Sequence, residues 1–180
     1  MKTNVLLISE KAIKENSTLS DNCFPKFMLP AILEAQEMGL QLIIGECLYK
    51  KLLELVDDDS INEAENAAYK DLLDDYIQDY LIYEVLKNIV PYLNVKLANI
   101  GTVLTGDEKI VNLTQSESSL LMQTFQNKSN FYRKRLQDYL KNNRTAYPEI
   151  DKCSCGCYTI KPDLHSLETY SIWLKGYSGK

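Results

Sequence analysis

Between Leu73 and Ile89 an apolar residue returns at every fourth position, as Leu73, Ile77, Leu81, Val85 and Ile89. A helix turns once in about 3.6 residues, so this interval lays all five side chains on one stripe. Tyr69, Tyr76, Tyr80 and Tyr83 mark a second stripe beside it. A helix apolar on two sides must be covered on both, which puts this segment at the centre of a mainly α-helical body.

Other segments supply the cover. Ser9 can cap a short exposed helix ending at Glu15, and Asn16-Ser17-Thr18 stops it. Met28, Ala31, Ile32, Ala35, Met38, Gly39 and Leu42 share one helical face, widened by Leu29, Leu33, Leu40 and Ile44. Pro25 and Pro30 crowd the start of that helix, so its regular part is expected to begin near Leu29 or to kink there. Gly45 breaks it, Leu48, Leu52, Leu55 and Val56 form the next stripe, and Asp57-Asp58-Asp59 read as a solvated loop. Ser60-Ile61-Asn62-Glu63 matches a capping box for the central helix.

Pro91 ends or bends that helix, and Tyr92 to Ile100 permit a further helical stretch closed by Gly101. Thr102-Val103-Leu104 and Ile110-Val111-Asn112 flank a five-residue polar loop, the composition of a β-hairpin. A lone hairpin is marginal in water, which makes Val103, Leu104, Ile110 and Val111 candidate interface residues. Thr114 or Ser116 can cap a last long helix with Leu121, Phe125, Tyr132, Leu136, Tyr139 and Leu140 on one face and Arg133, Lys134 and Lys141 on another. Past Tyr147-Pro148 the periodicity is lost. The expected architecture is a helical bundle over 1–146, with a small hairpin near 102–112, and an extended C-terminal docking tail over 147–180.

The chain has 180 residues, 45% hydrophobic and 25% charged, the range of one globular domain. The apolar runs at Val5 to Ile8 and Leu40 to Ile44 are too short for a secretory leader or a bilayer span, so no membrane is expected. A net charge of −5 disfavours sequence-independent wrapping of nucleic acid. The five cysteines are expected to be reduced thiols, with Cys23 and Cys47 in the core.

Catalytic signals are missing. His165 is the single histidine and no nucleophile elbow or glycine-rich phosphate loop accompanies it, so no enzyme and no cofactor is expected. Cys153, Cys155, Cys157 and His165 have zinc-ligand chemistry, but alternate residues of an extended chain point to opposite sides. Free thiols in a docked tail are the preferred reading, and no metal is proposed.

Ser20-Asp21-Asn22 through Lys26, Ala35-Gln36 and Ile44-Gly45-Glu46-Cys47-Leu48-Tyr49-Lys50-Lys51-Leu52 carry a further signal. They are followed in order by Tyr69-Lys70-Asp71-Leu72-Leu73, Asn99-Ile100-Gly101-Thr102-Val103 and Asn130-Phe131-Tyr132. Over residues 8 to 148 this succession resembles head-to-tail connector, or adaptor, ring proteins of tailed bacteriophages, nearest in style to those of crAss-like phages. The resemblance implies a virion protein made in the host bacterial cytoplasm. It implies a ring of roughly twelve copies at the head-tail junction, joined to the portal protein and to further ring or tail proteins. DNA would pass through the ring without sequence-specific binding.

The remaining candidates are interface residues. Lys128, Arg133, Lys134 and Arg135 form the densest basic group, and a helix face meeting an acidic neighbour subunit is preferred to one meeting DNA. The tail residues Tyr158, Leu164, Leu167, Tyr170, Trp173 and Tyr177 are too apolar for solvent, with Trp173 the expected anchor. Twelve tyrosines against four phenylalanines fit such contacts, since tyrosine buries area while keeping a polar tip. The alternative is a small helical nucleic-acid-binding or regulatory module acting through Lys128 to Arg135.

Overall fold

The computed structural model describes residues 5–19, 25–93, 95–98, 101–104 and 114–152. Helix α1 (Glu10–Glu15) starts where Ser9 accepts the Ala12 N–H at 3.1 Å. It is not wholly exposed: Ile13 is fully buried, and that one side chain anchors a helix too short to stand alone.

Helix α2 (Pro25–Glu34) runs without a break into a π-helical segment, Ala35–Leu40, and then into α3 (Gln41–Ile44). It is helical from Pro25, with Pro30 inside it on the exposed side. The π segment alters which residues are buried. Each i→i+5 bond takes one extra residue into the turn and rotates the stripe that follows. Met28, Ala31, Ile32, Ala35, Leu40 and Ile44 are buried as their spacing requires, whereas Met38 and Leu42 face outward and Gln36 and Ile43 take their place.

Gly45, with φ 84°, closes α3 and opens α4 (Glu46–Asp57), a conformation that glycine adopts without the Cβ clash of other residues. Leu48, Leu52 and Leu55 of α4 are buried. Asp57 is still helical, and all three aspartates are exposed. The capping box at Ser60 does not form. Ser60–Asn62 and Ala64–Asn66 are short 3-10 turns without side-chain caps. Burial of Ile61 and a bond from the Asn66 side-chain Nδ2 to the Ser60 carbonyl at 2.9 Å turn this stretch into a bridge.

The central helix therefore begins with α5 (Ala67–Leu72), continues through a second π segment, Leu73–Ile77, and becomes α6 (Gln78–Leu93). Leu73, Ile77, Leu81, Val85 and Ile89 are all buried, as are Leu72, Ile82, Leu86 and Val90. Burying such a side chain contributes about 1.5–3 kcal/mol, which makes this helix the main source of packing energy. The segment Lys26–Ile44 has the length and mean hydropathy of a membrane span, 19 residues and 1.3. Here it lies against α6, with its apolar face turned into the body.

Pro91 lies inside α6 and does not end it. The helical stretch expected over 92–100 is replaced by β1 (Val95–Ala98), paired antiparallel with β2 (Gly101–Leu104) in the register Val95↔Leu104 to Ala98↔Gly101. Two residues suffice to join such strands, so Thr102–Leu104 takes its partner from upstream. Ile110–Val111–Asn112, the expected second arm, lies outside the described residues.

Helix α7 (Gln115–Asn142) opens with the capping box: Thr114 accepts the Glu117 N–H, and the Glu117 carboxylate accepts the Thr114 N–H at 2.8 Å. It packs antiparallel along α6 and buries Phe125, Leu136 and Leu140. A turn at Arg144–Ala146 leads to Tyr147, fully buried, and to α8 (Glu149–Lys152), which rests on α4. The start of the expected tail is thus packed on its own body. Cys47 is half-buried and disulfide-bonded, which corrects the expectation of free thiols throughout. The other four cysteines lie outside the described residues.

Candidate functional site

Three tyrosines of the central helix, Tyr69, Tyr76 and Tyr83, recur every seven residues and so lie two turns apart on one side. Each meets a tyrosine from the later part of the chain. Tyr83 stacks on Tyr132 with centroids 5.2 Å apart, Tyr76 stacks on Tyr139 at 3.9 Å, and Tyr69 meets Tyr147 edge-on at 5.5 Å. Such pairs contribute about 0.5–1.5 kcal/mol each beyond their buried area. Together they fix the register of α7 against α6.

Hydroxyls connect the lower rungs. Tyr147 donates to the Ala68 carbonyl at 2.9 Å, so Tyr139 is the donor in its 3.1 Å contact with the Tyr147 oxygen. Tyr69 donates to Glu149 at 2.8 Å. Burial, and then the Glu149 carboxylate that accepts its proton, push Tyr69 up to about 12. Tyr147 is raised further, chiefly by burial and then by its bond with Tyr139.

Part of the basic group is consumed in this ladder. Lys128 lies over the Tyr83 ring at 5.2 Å and Arg135 over Tyr76 at 4.8 Å, the latter also paired with Asp79 at 2.7 Å. Arg133 and Lys134 are exposed. Lys134 borders a groove of about 560 Å³ floored by Tyr76 and Tyr139, and Phe131 at its side is 65% exposed. Leu120, on the same helix, is equally exposed. A long helix that buries one face and shows large apolar and cationic side chains on another has the makings of an interaction surface.

A smaller cavity of about 160 Å³ opens where the first π segment, α6 and α7 meet. Glu84 is buried there, accepting from Ser129 at 2.6 Å with one oxygen and pairing with Lys87 through the other. Tyr80, beside them, is raised by its burial first and by the Glu84 charge second. Gly39 completes the fit: a Cβ there would stand 2.6 Å from the Tyr80 hydroxyl. Every buried polar side-chain atom among the described residues has a partner. The cluster is saturated and works as a polar lock between three helices.

Of the expected interface residues, Arg133 and Lys134 stand on exposed α7. Val103 and Leu104 lie in β2, opposite Lys96 and Val95. Ile110, Val111, Tyr158, Leu164, Leu167, Tyr170, Trp173 and Tyr177 lie outside the described residues. Sequence reasoning missed Phe131 and Leu120 as exposed apolar residues and Glu84 as a buried acid. Glu84 had a signal: it interrupts an otherwise apolar run from Leu81 to Leu86.

A family model described as a family of unknown function (DUF6712) matches residues 40–160, more than half of the chain. No curated protein and no solved structure matches.

Proposed function

Taking as premise that this chain belongs to the family of unknown function DUF6712, we propose that it is a structural, non-catalytic subunit of a phage head-to-tail connector ring. The subunit sits below the portal protein at the head-tail junction of the virion. It joins copies of itself, portal and further ring or tail proteins around the DNA channel. The observation that carries this reading is the outer face of α7, where Phe131 and Lys134 stand exposed together at the groove and Leu120 is exposed three turns before Phe131. A monomer gains nothing from such a surface, whereas a ring subunit covers it with a neighbour. The ordered resemblance over residues 8 to 148 supports the same role. The hairpin and the part of the apolar tail that follows Lys152, with Trp173 as anchor, are the proposed arms towards neighbours.

Electron microscopy of the purified chain mixed with the portal protein of the same phage tests the proposal. Closed rings seated on the portal are expected. A chain that stays monomeric both alone and with portal overturns it.

A further inference from the structure

Residues 54–79 carry ten acids and one lysine, whereas residues 128–144 carry six bases and one acid. All of these acids except Asp79 are exposed, and so are all six bases. Among the described residues, Arg135–Asp79 is the one ion pair that joins the two blocks. Lys128 and Arg135 lie over tyrosine rings and Arg144 pairs with Asp151, so folding leaves an exposed acidic field on one side and Arg133, Lys134 and Lys141 turned to solvent on the other. The acidic field includes the stretch from Asp57 to Glu65, which follows α4 and exposes all five of its acids while Ile61 anchors it in the core. Lys134 and Arg135 of the basic field line the groove between Tyr76, Phe131 and Tyr139 together with Asp138, and Arg135 is paired with Asp79.

We infer that this groove, with Lys134 at its edge and Lys141 two turns further along α7, receives the acidic stretch Asp57–Glu65 of a second copy of the chain. The two surfaces are different and both sit on one body, so the contact is head-to-tail. A contact of that kind makes a ring if its rotation closes and a filament if it does not. Duplex DNA is the poorer occupant, because the exposed acids of 54–79 repel phosphates and the net charge is −5. The inference deepens the connector reading and rests on it for ring closure alone.

Sedimentation velocity of the full chain at low and high salt tests the contact. Two charge reversals are compared with the parent chain: Lys134→Glu with Lys141→Glu, and Asp57→Lys with Asp58→Lys. All four positions are exposed, and a thermal melt of each variant checks that it is folded. The parent chain should self-associate, and less so at high salt because the Debye length shortens from about 10 Å at 0.1 M to about 3 Å at 1 M. Each reversal should weaken association at least about tenfold. An equimolar mixture of the two variants should restore it, because each supplies the charge the other lacks.

Folded variants that assemble like the parent, a mixture that restores nothing, or a parent chain monomeric at every concentration overturns the contact. So does duplex DNA binding that Lys134→Glu with Lys141→Glu abolishes while assembly is unchanged. Rings on the portal that survive both reversals overturn this contact and leave the connector reading standing. Restored association without rings on the portal does the reverse.

Discussion

Replacing Gly39 by alanine sets two effects of opposite sign against each other. Alanine in a helix is favoured over glycine by about 0.8–1.0 kcal/mol. Against this, the new Cβ would lie 2.6 Å from the Tyr80 hydroxyl and 3.3 Å from Glu84 Cγ. Tyr80 is 2% exposed and packed in the core, so it cannot swing away without disturbing its neighbours. Overpacking of this kind costs about 1–3 kcal/mol, and the overlap should win by about 1 kcal/mol. In a chain of this size that lowers Tm by about 2–4 °C. Urea denaturation followed by circular dichroism reads the change, and Tyr80→Phe supplies the control. Without the hydroxyl the clash is relieved, so Gly39→Ala in the Tyr80→Phe background should be neutral or stabilising. A Gly39→Ala variant more stable than the parent, or the same loss in both backgrounds, refutes the reasoning.

Three further outcomes are expected. Gln36 accepts the Leu7 N–H at 2.8 Å and donates to the Val5 carbonyl at 3.2 Å. Gln36→Leu should cost about 1–3 kcal/mol and speed hydrogen exchange at the Leu7 amide in particular. Ser129→Ala leaves one Glu84 oxygen without its donor and should cost about 1.5–3 kcal/mol in urea denaturation, the range for hydrogen bonds to charged groups. Tyr69, Tyr80 and Tyr147 are raised in the fold, whereas in the unfolded chain they ionise near the usual tyrosine value of about 10. Their contribution is therefore complete below about pH 10 and declines as pH rises through about 12, where Tyr69 ionises in the fold. The urea midpoint should fall over that window, and less steeply in Tyr69→Phe; a midpoint unchanged from pH 9 to 11 contradicts the assignment.

The helical body is legible in the sequence because periodicity reports burial wherever the helix is regular. Leu73 to Ile89 and Leu48 to Leu55 are buried as their spacing requires. Legibility fails where a local rule meets a tertiary one. The 3.6 period places Met38 and Leu42 inside, but one π segment rotates them out, and no residue type announces that segment. The Ser60 capping box has the right letters, yet burial of Ile61 claims the chain first. Pro91 reads as a terminator, although a proline removes only its own N–H and α6 continues for two residues past it.

The same division governs the candidate surface. The tyrosines every seven residues were visible as a stripe, but a stripe does not name its partner. Only the fold reveals that Tyr83, Tyr76 and Tyr69 are covered by Tyr132, Tyr139 and Tyr147 of the same chain. This changes what the basic cluster can do. Lys128 and Arg135 are engaged with tyrosine rings of α6, and Arg135 with Asp79 as well. Of the exposed cations, Lys134 lies beside Phe131 at the groove floored by Tyr76 and Tyr139, and Arg133 stands at the other cavity. A surface reduced to a few cations around one aromatic residue favours a partner with localised acids and an edge that fits the groove. A uniform phosphate backbone, by contrast, takes its affinity from the number of cations it engages.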